Sequence, residues 1–202
     1  MTEPLDRIAA LVLAAGRSTR MGGANKLLQD YAGKSLVRRT VENALLCGAA
    51  PVVVVTGHEA AAVEAELTGL AVTLVRNPDY AQGLSTSLKV GVRALPDSVD
   101  GVVVMLGDMP LVDCHVVRRI VAAFEAAPGS VAAVPVHDGE WGNPVVLARA
   151  LFADVEGLAG DSGARKLLER RRDAVIEAPI SDAAVAVDVD TPAALEKLRS
   201  GL

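Results

Sequence analysis

Short and almost uninterrupted runs of apolar residues recur along the chain. They are rich in Val, Leu and Ala and occupy residues 9–13, 52–56, 72–75, 102–106 and 131–136. A strand with one solvent-facing side would alternate apolar and polar residues, so these runs predict strands that are covered on both faces. Segments with apolar residues at helical spacing lie between the runs and predict helices over residues 35–46, 60–67, 86–95 and 114–126. The alternation predicts an α/β fold, a doubly wound and mostly parallel sheet with helices on both faces.

The loops that follow the first four predicted strands are the next feature. They begin at Gly16, Thr56, Arg76 and Gly107. Because the carboxyl ends of parallel strands meet at one edge of a sheet, we expect these loops to form a single ligand-binding edge. After residue 161 the pattern predicts a further helix, a short strand over residues 174–178 and a last helix near Thr191.

Composition restricts the class of protein. A chain of 202 residues with 51% hydrophobic content and no obvious linker predicts one globular domain over residues 1–202. A net charge of −5 and only one Trp, two Tyr and two Phe argue against a nucleic-acid partner. The polar N-terminus and the lack of a run of roughly 20 apolar residues predict a cytoplasmic protein with no membrane partner.

Residues 11–26 combine an apolar strand with a glycine-rich turn that ends on a lysine. The turn contains Gly16, Gly22, Gly23, Arg17, Arg20 and Lys26. Glycines let backbone N–H groups approach a bound anion, and the basic side chains add positive charge. The spacing fits neither a Walker A loop nor the Gly-x-Gly-x-x-Gly fingerprint of dinucleotide-binding proteins. We therefore predict a polyphosphate ligand, with Lys26 as a surface charge of little importance for stability.

Several motifs identify a family. The segment Leu13-Ala14-Ala15-Gly16-x-Ser18-x-Arg20-Met21-Gly22, followed by Lys26, resembles the signature loop of the MobA-like nucleotidyltransferases. Four further segments resemble motifs of the same family and occur in the expected order, at residues 107–110, 142–145, 160–165 and 188–192. The Ala-Ala-Gly loop and residues 160–165 resemble the branch that attaches CMP to molybdopterin, whereas the GMP-attaching branch usually carries Ala-Gly-Gly. The resemblance implies a Mg²⁺-dependent enzyme that joins CTP to molybdopterin and releases pyrophosphate.

The resemblance also implies roles for individual residues. Nucleotide binding is expected of Leu13, Ala14, Ala15, Gly16, Arg20, Lys26, Gly83 and Ser85. Arg20, Lys26 and Asp108 are expected to act in catalysis. Asp108 stands where a predicted buried strand reaches the ligand edge, and with Asp190 it is expected to hold Mg²⁺, which prefers carboxylate oxygens. Asn143 and Asp188 are expected to dock the acceptor. On this view residues 8–110, approximately, bind the nucleotide and residues 111–202 bind the acceptor.

Other interpretations stay open at this stage. Asp188 is an alternative metal ligand, and Asp190 or Thr191 could simply cap the last helix, with Pro192 at its first position. The enzyme could use GTP or ATP, or take a sugar phosphate as acceptor. The family also includes NAD(P)H-dependent oxidoreductases, which the missing Gly-x-Gly-x-x-Gly pattern disfavours, and a molybdenum cofactor chaperone is a third alternative. A molybdenum hydroxylase or its maturation factor is the receiving partner that the resemblance implies.

Overall fold

The computed structural model describes residue 5 and residues 7–18, 24–187 and 189–200. The strands are β1 (Ile8–Ala14), β2 (Asp30–Tyr31), β3 (Lys34–Ser35), β4 (Val52–Thr56), β5 (Thr73–Arg76), β6 (Gly101–Leu106), β7 (Ala132–His137), β8 (Glu140–Trp141), β9 (Val145–Ala148) and β10 (Val175–Pro179). The α-helices are α1 (Leu36–Leu46), α2 (Ala60–Glu66), α3 (Leu84–Arg93), α4 (Cys114–Glu125), α5 (Phe152–Val155), α6 (Ala164–Glu169) and α7 (Pro192–Ser200).

One large sheet organises the chain, in the order β10-β7-β9-β6-β1-β4-β5. Neighbouring strands are parallel except around β9, which runs antiparallel to both β6 and β7, and β8, which forms a hairpin with β7. The predicted mostly parallel α/β sheet is confirmed. The central strands β1, β4 and β6 are buried at every position except Leu106, as expected for strands covered on both faces.

Helices cover both faces of the sheet. Alternate residues of β1 point to opposite sides: Ala10 and Val12 pack with α1, α2 and α4, whereas Leu11 packs with α3, α5 and α6. The approach of α3 is close, since a Cβ at Gly91 would lie 2.3 Å from a methyl carbon of Leu11. Leu11 is fully buried, so its truncation to Ala would cost about 2–5 kcal/mol of unfolding free energy.

Local sequence explains where the long helices begin. The Ser35 hydroxyl accepts a hydrogen bond from the Arg38 amide at 3.4 Å and starts α1, and Asp113 caps α4 through the Val116 amide at 2.9 Å. No helix within the described ranges is long and apolar enough to cross a membrane.

One strand departs from the prediction. The run at residues 72–75 was expected to be covered on both faces, but β5 is an edge strand and Leu74 is 41% exposed. The prediction of burial was wrong here because a short apolar run does not reveal whether its strand has one neighbour or two.

Candidate active site

A cleft of about 480 Å³ opens at the carboxyl ends of the parallel strands. Among the residues singled out from sequence, its walls include Leu13, Ala15, Gly16, Lys26, Gly83, Asp108 and Asp190. Arg20 and Asp188 lie outside the described residues. A Cβ built on Gly16 would meet no atom of the described residues within 4 Å, so the backbone at this point faces open space. Of the four loops predicted to converge, those after β1, β5 and β6 line this cleft, whereas the loop after β4 contacts the first of them through the His58 amide and the Ala15 carbonyl.

Side-chain hydrogen bonds fix the end of the glycine-rich loop. Ser18 adopts a positive φ of 52°, and its hydroxyl accepts a hydrogen bond from the Lys26 amide at 3.0 Å. The Asn25 side-chain oxygen accepts from the Leu27 amide at 3.1 Å and caps a short 3₁₀ turn, Lys26–Leu28. Together these bonds place Lys26 at the floor of the cleft.

Lys26 lies between two carboxylates. Its ammonium contacts Asp108 and also donates to Asp190 Oδ1 at 2.5 Å. The Lys26 side chain is only 15% exposed, so the expectation of a surface charge was wrong. Burial alone would lower the pKa of Lys26, but the charges and hydrogen bonds of Asp108 and then Asp190 outweigh it and raise the pKa above its ordinary value. The lysine therefore stays positively charged at neutral pH.

The two carboxylates come from distant segments that are tied together. Asp108 follows β6 and is 7% exposed, and its backbone carbonyl accepts a hydrogen bond from the Val189 amide at 3.2 Å. Val189 is itself buried against Leu36 and Leu195, which anchors the segment before α7 on α1. Asp190 is consequently held next to Asp108 by the chain on its N-terminal side.

Polar residues of α1 support the loop that carries Asp108. The Thr40 hydroxyl, which is fully buried, donates to the Gly107 carbonyl at 3.2 Å. Asn43 Nδ2 donates to the carbonyls of Pro110 and Val112 at 3.2 and 2.9 Å. Sequence reasoning missed these supports, although a threonine on the otherwise apolar face of a helix was a detectable signal.

The donor set fits a divalent cation that shares its ligands with phosphates. Two carboxylates already converge on one cationic atom, the Lys26 nitrogen. Among the described residues no group of three His, Cys, Asp or Glu side chains could enclose a metal on its own. Mg²⁺ commonly uses one or two carboxylates and completes its shell with water and substrate phosphates, so the two aspartates suit a metal–nucleotide complex.

The segment at residues 77–88, which lacks hydrophobic rhythm before Leu84, forms another wall. Gly83 has φ +111°, and a Cβ there would lie 2.3 Å from the Gly160 carbonyl carbon. Ser85 is 1% exposed and its amide donates to the Gly160 carbonyl at 3.1 Å, whereas Ser87 lines the cleft. Tyr80 and Asp161 also line the cleft without having been assigned a role from sequence.

The side chains of two alanines in the signature loop are buried. The Ala14 side chain belongs to the hydrophobic core and is 1% exposed. Ala15 borders the cleft but is 3% exposed, and its methyl group lies 2.8 Å from where a Cβ on Gly57 would be. Backbone atoms are therefore the main groups that this part of the loop offers to a ligand.

A second cavity of about 190 Å³ adjoins the cleft on the side of β7 and β9. Its apolar lining includes Leu88, Val104, Val134, Val145 and Leu168, and Trp141, Asn143 and Arg165 also border it. The Asn143 amide donates to the Val185 carbonyl at 2.9 Å, which fixes the loop before β9. Asn143, predicted as an acceptor contact, thus lies in this cavity and outside the charged cleft.

Comparison with known proteins finds a domain family that matches most of the chain. The model of the MobA-like NTP transferase domain matches residues 10–175. Nicotine blue oxidoreductase of Paenarthrobacter nicotinovorans is 31% identical over 91% of this chain and 92% of its own length. Molybdenum cofactor cytidylyltransferase of Escherichia coli (strain K12) is 27% identical over 93% of each protein. Bifunctional protein GlmU of Anaeromyxobacter sp. (strain K) is 40% identical over 61% of this chain, which spans about a quarter (26%) of that protein.

Solved structures share the architecture over nearly the whole chain. Rv0371c of Mycobacterium tuberculosis H37Rv is 29% identical, with a TM-score of 0.85 over 96% of this chain and 98% of its own. The same protein was solved in complex with manganese, with a TM-score of 0.83 over 97% of this chain and 100% of its own. A nucleotidyl transferase of Methanothermobacter thermautotroptrophicus is 28% identical, with a TM-score of 0.83 over 97% of each chain.

Proposed function

The chain belongs to the family with the MobA-like NTP transferase domain, and from this premise we propose that it transfers CMP from CTP to the phosphate of molybdopterin. The observation that carries the proposal is the meeting of Lys26, Asp108 and Asp190 in a cleft at the end of the glycine-rich loop. The similarity to a molybdenum cofactor cytidylyltransferase over 93% of the chain supports the choice of substrates.

The proposed reaction is an in-line displacement at phosphorus. An oxygen of the acceptor phosphate attacks the α-phosphorus of CTP, and a new P–O bond forms while the bond to the bridging oxygen breaks. Pyrophosphate leaves with that electron pair. A phosphate oxygen is ionised at neutral pH, so no strong general base is needed, and positioning with electrostatic stabilisation suffices without a covalent enzyme intermediate.

The cationic and the anionic residues of the cleft would have different roles in this reaction. Backbone N–H groups from Gly16 onward, together with Lys26 and Arg20, would bind the polyphosphate and stabilise the negative charge of the transition state. Asp108 and Asp190 would hold Mg²⁺, which when bound would neutralise the triphosphate and polarise the reacting phosphoryl group. Lys26, now paired with both carboxylates, would exchange part of that contact for phosphate oxygens.

The acceptor would occupy the side of the molecule that β7 and β9 form. Asn143 borders the cavity there, and Asp188 is proposed as a second contact. This division assigns approximately residues 8–110 to the nucleotide and 111–202 to the acceptor. The product would pass to a molybdenum hydroxylase or its maturation factor.

The experiment is pyrophosphate release from CTP, GTP, ATP and UTP, each measured with and without molybdopterin. We expect acceptor-dependent release, with CTP favoured over GTP by at least about tenfold, roughly 1.4 kcal/mol. Equal or faster release from GTP would overturn the cytidylyl assignment. Absence of release from every nucleotide in the presence of molybdopterin would overturn the transferase assignment for this acceptor.

A second candidate is a reductase of a pigment-like substrate. The observation that favours it is the 31% identity to a nicotine blue oxidoreductase over nearly all of both proteins. Hydride transfer does not require two carboxylates that converge on a cation, so the cleft favours the transferase. NAD(P)H oxidation without pyrophosphate release would decide for the reductase.

A further inference from the structure

Aromatic side chains are scarce in this chain, yet two of them border the ligand edge. The sequence contains one Trp, two Tyr and two Phe. Tyr80 lines the charged cleft, and the single tryptophan, Trp141, lines the neighbouring cavity. The scarcity makes their position informative, because the rest of the core is built almost without aromatic rings.

The cavity has the size and lining for a planar ring with apolar faces and a small polar edge. Its volume is about 190 Å³, and most of its lining is Leu and Val. For comparison, an apolar cavity of about 150 Å³ engineered in another protein binds benzene. A phosphate or a saturated, hydroxyl-rich sugar would lose hydration on entering such a space without recovering it.

Trp141 is held rigidly from outside the cavity. Its indole Nε1 donates to Glu177 Oε1 at 2.7 Å, and the guanidinium carbon of Arg172 lies 4.9 Å from the ring centroid. Arg172 also pairs with Glu177 at 2.8 Å, which closes the triangle of contacts. The backbone of Trp141 is fixed by its pairing with Val136. Trp141 lines the cavity and Arg172 does not, so these contacts hold the indole from outside the cavity.

We propose that Trp141 is the stacking surface that selects an acceptor with a planar heterocyclic ring, and that Asn143 meets the polar edge of that ring. This deepens the proposed function, on which it rests for calling the ligand the acceptor. A fixed indole loses little conformational entropy when a ring stacks on it. Base–aromatic stacking strengthens binding by about fivefold to a hundredfold in other proteins, which is enough to discriminate ring-bearing from ring-free acceptors.

The experiment measures binding without turnover. The probes are 6-hydroxymethylpterin, glucose 1-phosphate and CTP, and the variants are Trp141→Leu and Trp141→Phe. The control is Phe152→Leu, because Phe152 has the same kind of contact, with Arg149 lying 5.6 Å from its ring centroid, yet does not line the cavity. Pterin affinity is read from its own fluorescence anisotropy, and CTP and sugar-phosphate affinity by calorimetry.

We expect Trp141→Leu to weaken pterin binding about tenfold, or roughly 1.4 kcal/mol. Trp141→Phe should stay within about threefold of the wild type because it retains a ring. The Phe152→Leu control should bind pterin like the wild type, and CTP affinity should be unchanged in every variant. Since the chain has a single tryptophan, saturating pterin should also alter the wild-type emission beyond the effect seen with free tryptophan amide.

Several results would overturn the inference. One is equal pterin affinity in folded Trp141→Leu protein, and another is a loss confined to CTP, which would assign the cavity to the nucleobase. Glucose 1-phosphate binding that depends on Trp141 as strongly as pterin binding does would also overturn it. Unaltered wild-type emission at saturating pterin would do so without any variant. Missing pyrophosphate release alongside Trp141-dependent pterin binding would overturn only the proposed reaction and leave the ring site standing.

Discussion

The charged cleft and the neighbouring cavity share a wall formed by Leu13, Leu84 and Leu106, yet their linings have opposite chemistry. The cleft contains a half-buried lysine between two aspartates, whereas apolar side chains dominate the cavity. Burying a polyphosphate requires compensating charge and N–H donors, which Mg²⁺ on the two aspartates, Lys26 and the loop N–H groups would supply in the proposed complex. Burying a planar heterocycle requires apolar surface for its faces and a polar partner for its edge, the role proposed for Asn143. The contrast between the cleft and the cavity shows that one sheet edge can provide a site for charged groups beside a separate site for an uncharged ring.

The two regions also draw on different parts of the strands. Cleft residues such as Gly16 and Asp108 stand in loops just beyond the ends of β1 and β6. Cavity residues such as Val104, Val134 and Val145 lie within strands. Loop residues can change charge without disturbing the sheet, whereas strand residues must also satisfy the packing of the core.

The largest loss of turnover is expected when the charge of Asp108 in the cleft is removed. Asp108→Asn keeps the size of the side chain but removes one of the two carboxylates proposed to hold the metal, so turnover should fall by at least about a hundredfold at ordinary Mg²⁺. CTP binding in chelator should survive, because Lys26 and the loop N–H groups remain. Turnover against Mg²⁺ concentration and CTP affinity in chelator are the paired measurements.

The control for this change is Asp97→Asn, an exposed carboxylate that pairs with Arg149 and precedes β6, whereas Asp108 follows the other end of that strand. It should leave turnover and the Mg²⁺ dependence unaltered. Normal turnover of Asp108→Asn, with an unchanged Mg²⁺ dependence, would show that Asp108 is a turn residue and that the metal lies elsewhere.

Lys26→Met tests whether the buried charge of the cleft also matters for folding. The change leaves Asp108 and Asp190 close together without the cation between them, so it should lower turnover at least about tenfold. It should also reduce the unfolding free energy by about 1–3 kcal/mol, less than for a fully buried pair because the Asp190 side chain is 33% exposed. Thermal and urea unfolding at neutral pH measure the second effect.

Lys34→Met is the matched control for Lys26. Lys34 also pairs with a carboxylate, Glu42, at 2.6 Å, but its side chain is 46% exposed. The loss in the control should stay within about 0.5 kcal/mol. If both variants unfold alike, the Lys26 pairs contribute no more than a surface ion pair, and the contrast in burial has no energetic consequence.

The two regions differ in how far sequence predicted them. Lys26, Asp108 and Asp190 could be found because each is a polar residue in a short motif just beyond an apolar run or beside a helix start. Trp141 and the apolar lining of the cavity could not, because Val104 or Leu168 in a ring-binding wall is indistinguishable in sequence from a core residue. Burial of Lys26 was also missed, since it depends on Asp190, which is 164 residues away in the chain.

The fold shows the same division. Strand and helix positions were predictable because apolar periodicity is local, and β4 and α1 begin and end within a residue of the predicted limits. The edge position of β5 and the antiparallel direction of β9 could not be predicted, because both depend on how distant segments pair. Pairing of this kind leaves no periodic signal in either strand.

Arg172→Gln should give the smallest effect, and it tests how the contact of Arg172 with Trp141 contributes to pterin binding in the cavity. The change removes the guanidinium over Trp141 but keeps the indole, so only the fixing of the ring is lost. An exposed cation–π contact is worth about 0.5–1 kcal/mol, so loss of the oriented ring should weaken pterin binding by no more than about twofold to fivefold. CTP affinity should not move. Anisotropy with 6-hydroxymethylpterin and calorimetry with CTP provide the two measurements.

Arg149→Gln is the matched control, because it removes the corresponding guanidinium over Phe152 and should leave pterin affinity unchanged. Comparison with Trp141→Leu then separates the contribution of the ring from that of its contact with Arg172. A loss smaller than that of Trp141→Leu means that stacking itself carries recognition and that the Arg172 contact only orients the ring. A loss as large as that of Trp141→Leu means that ring binding in the cavity depends on the contacts among Arg172, Glu177 and Trp141. A charged network at the surface would then control the apolar site, and the two regions would be less independent than their linings suggest.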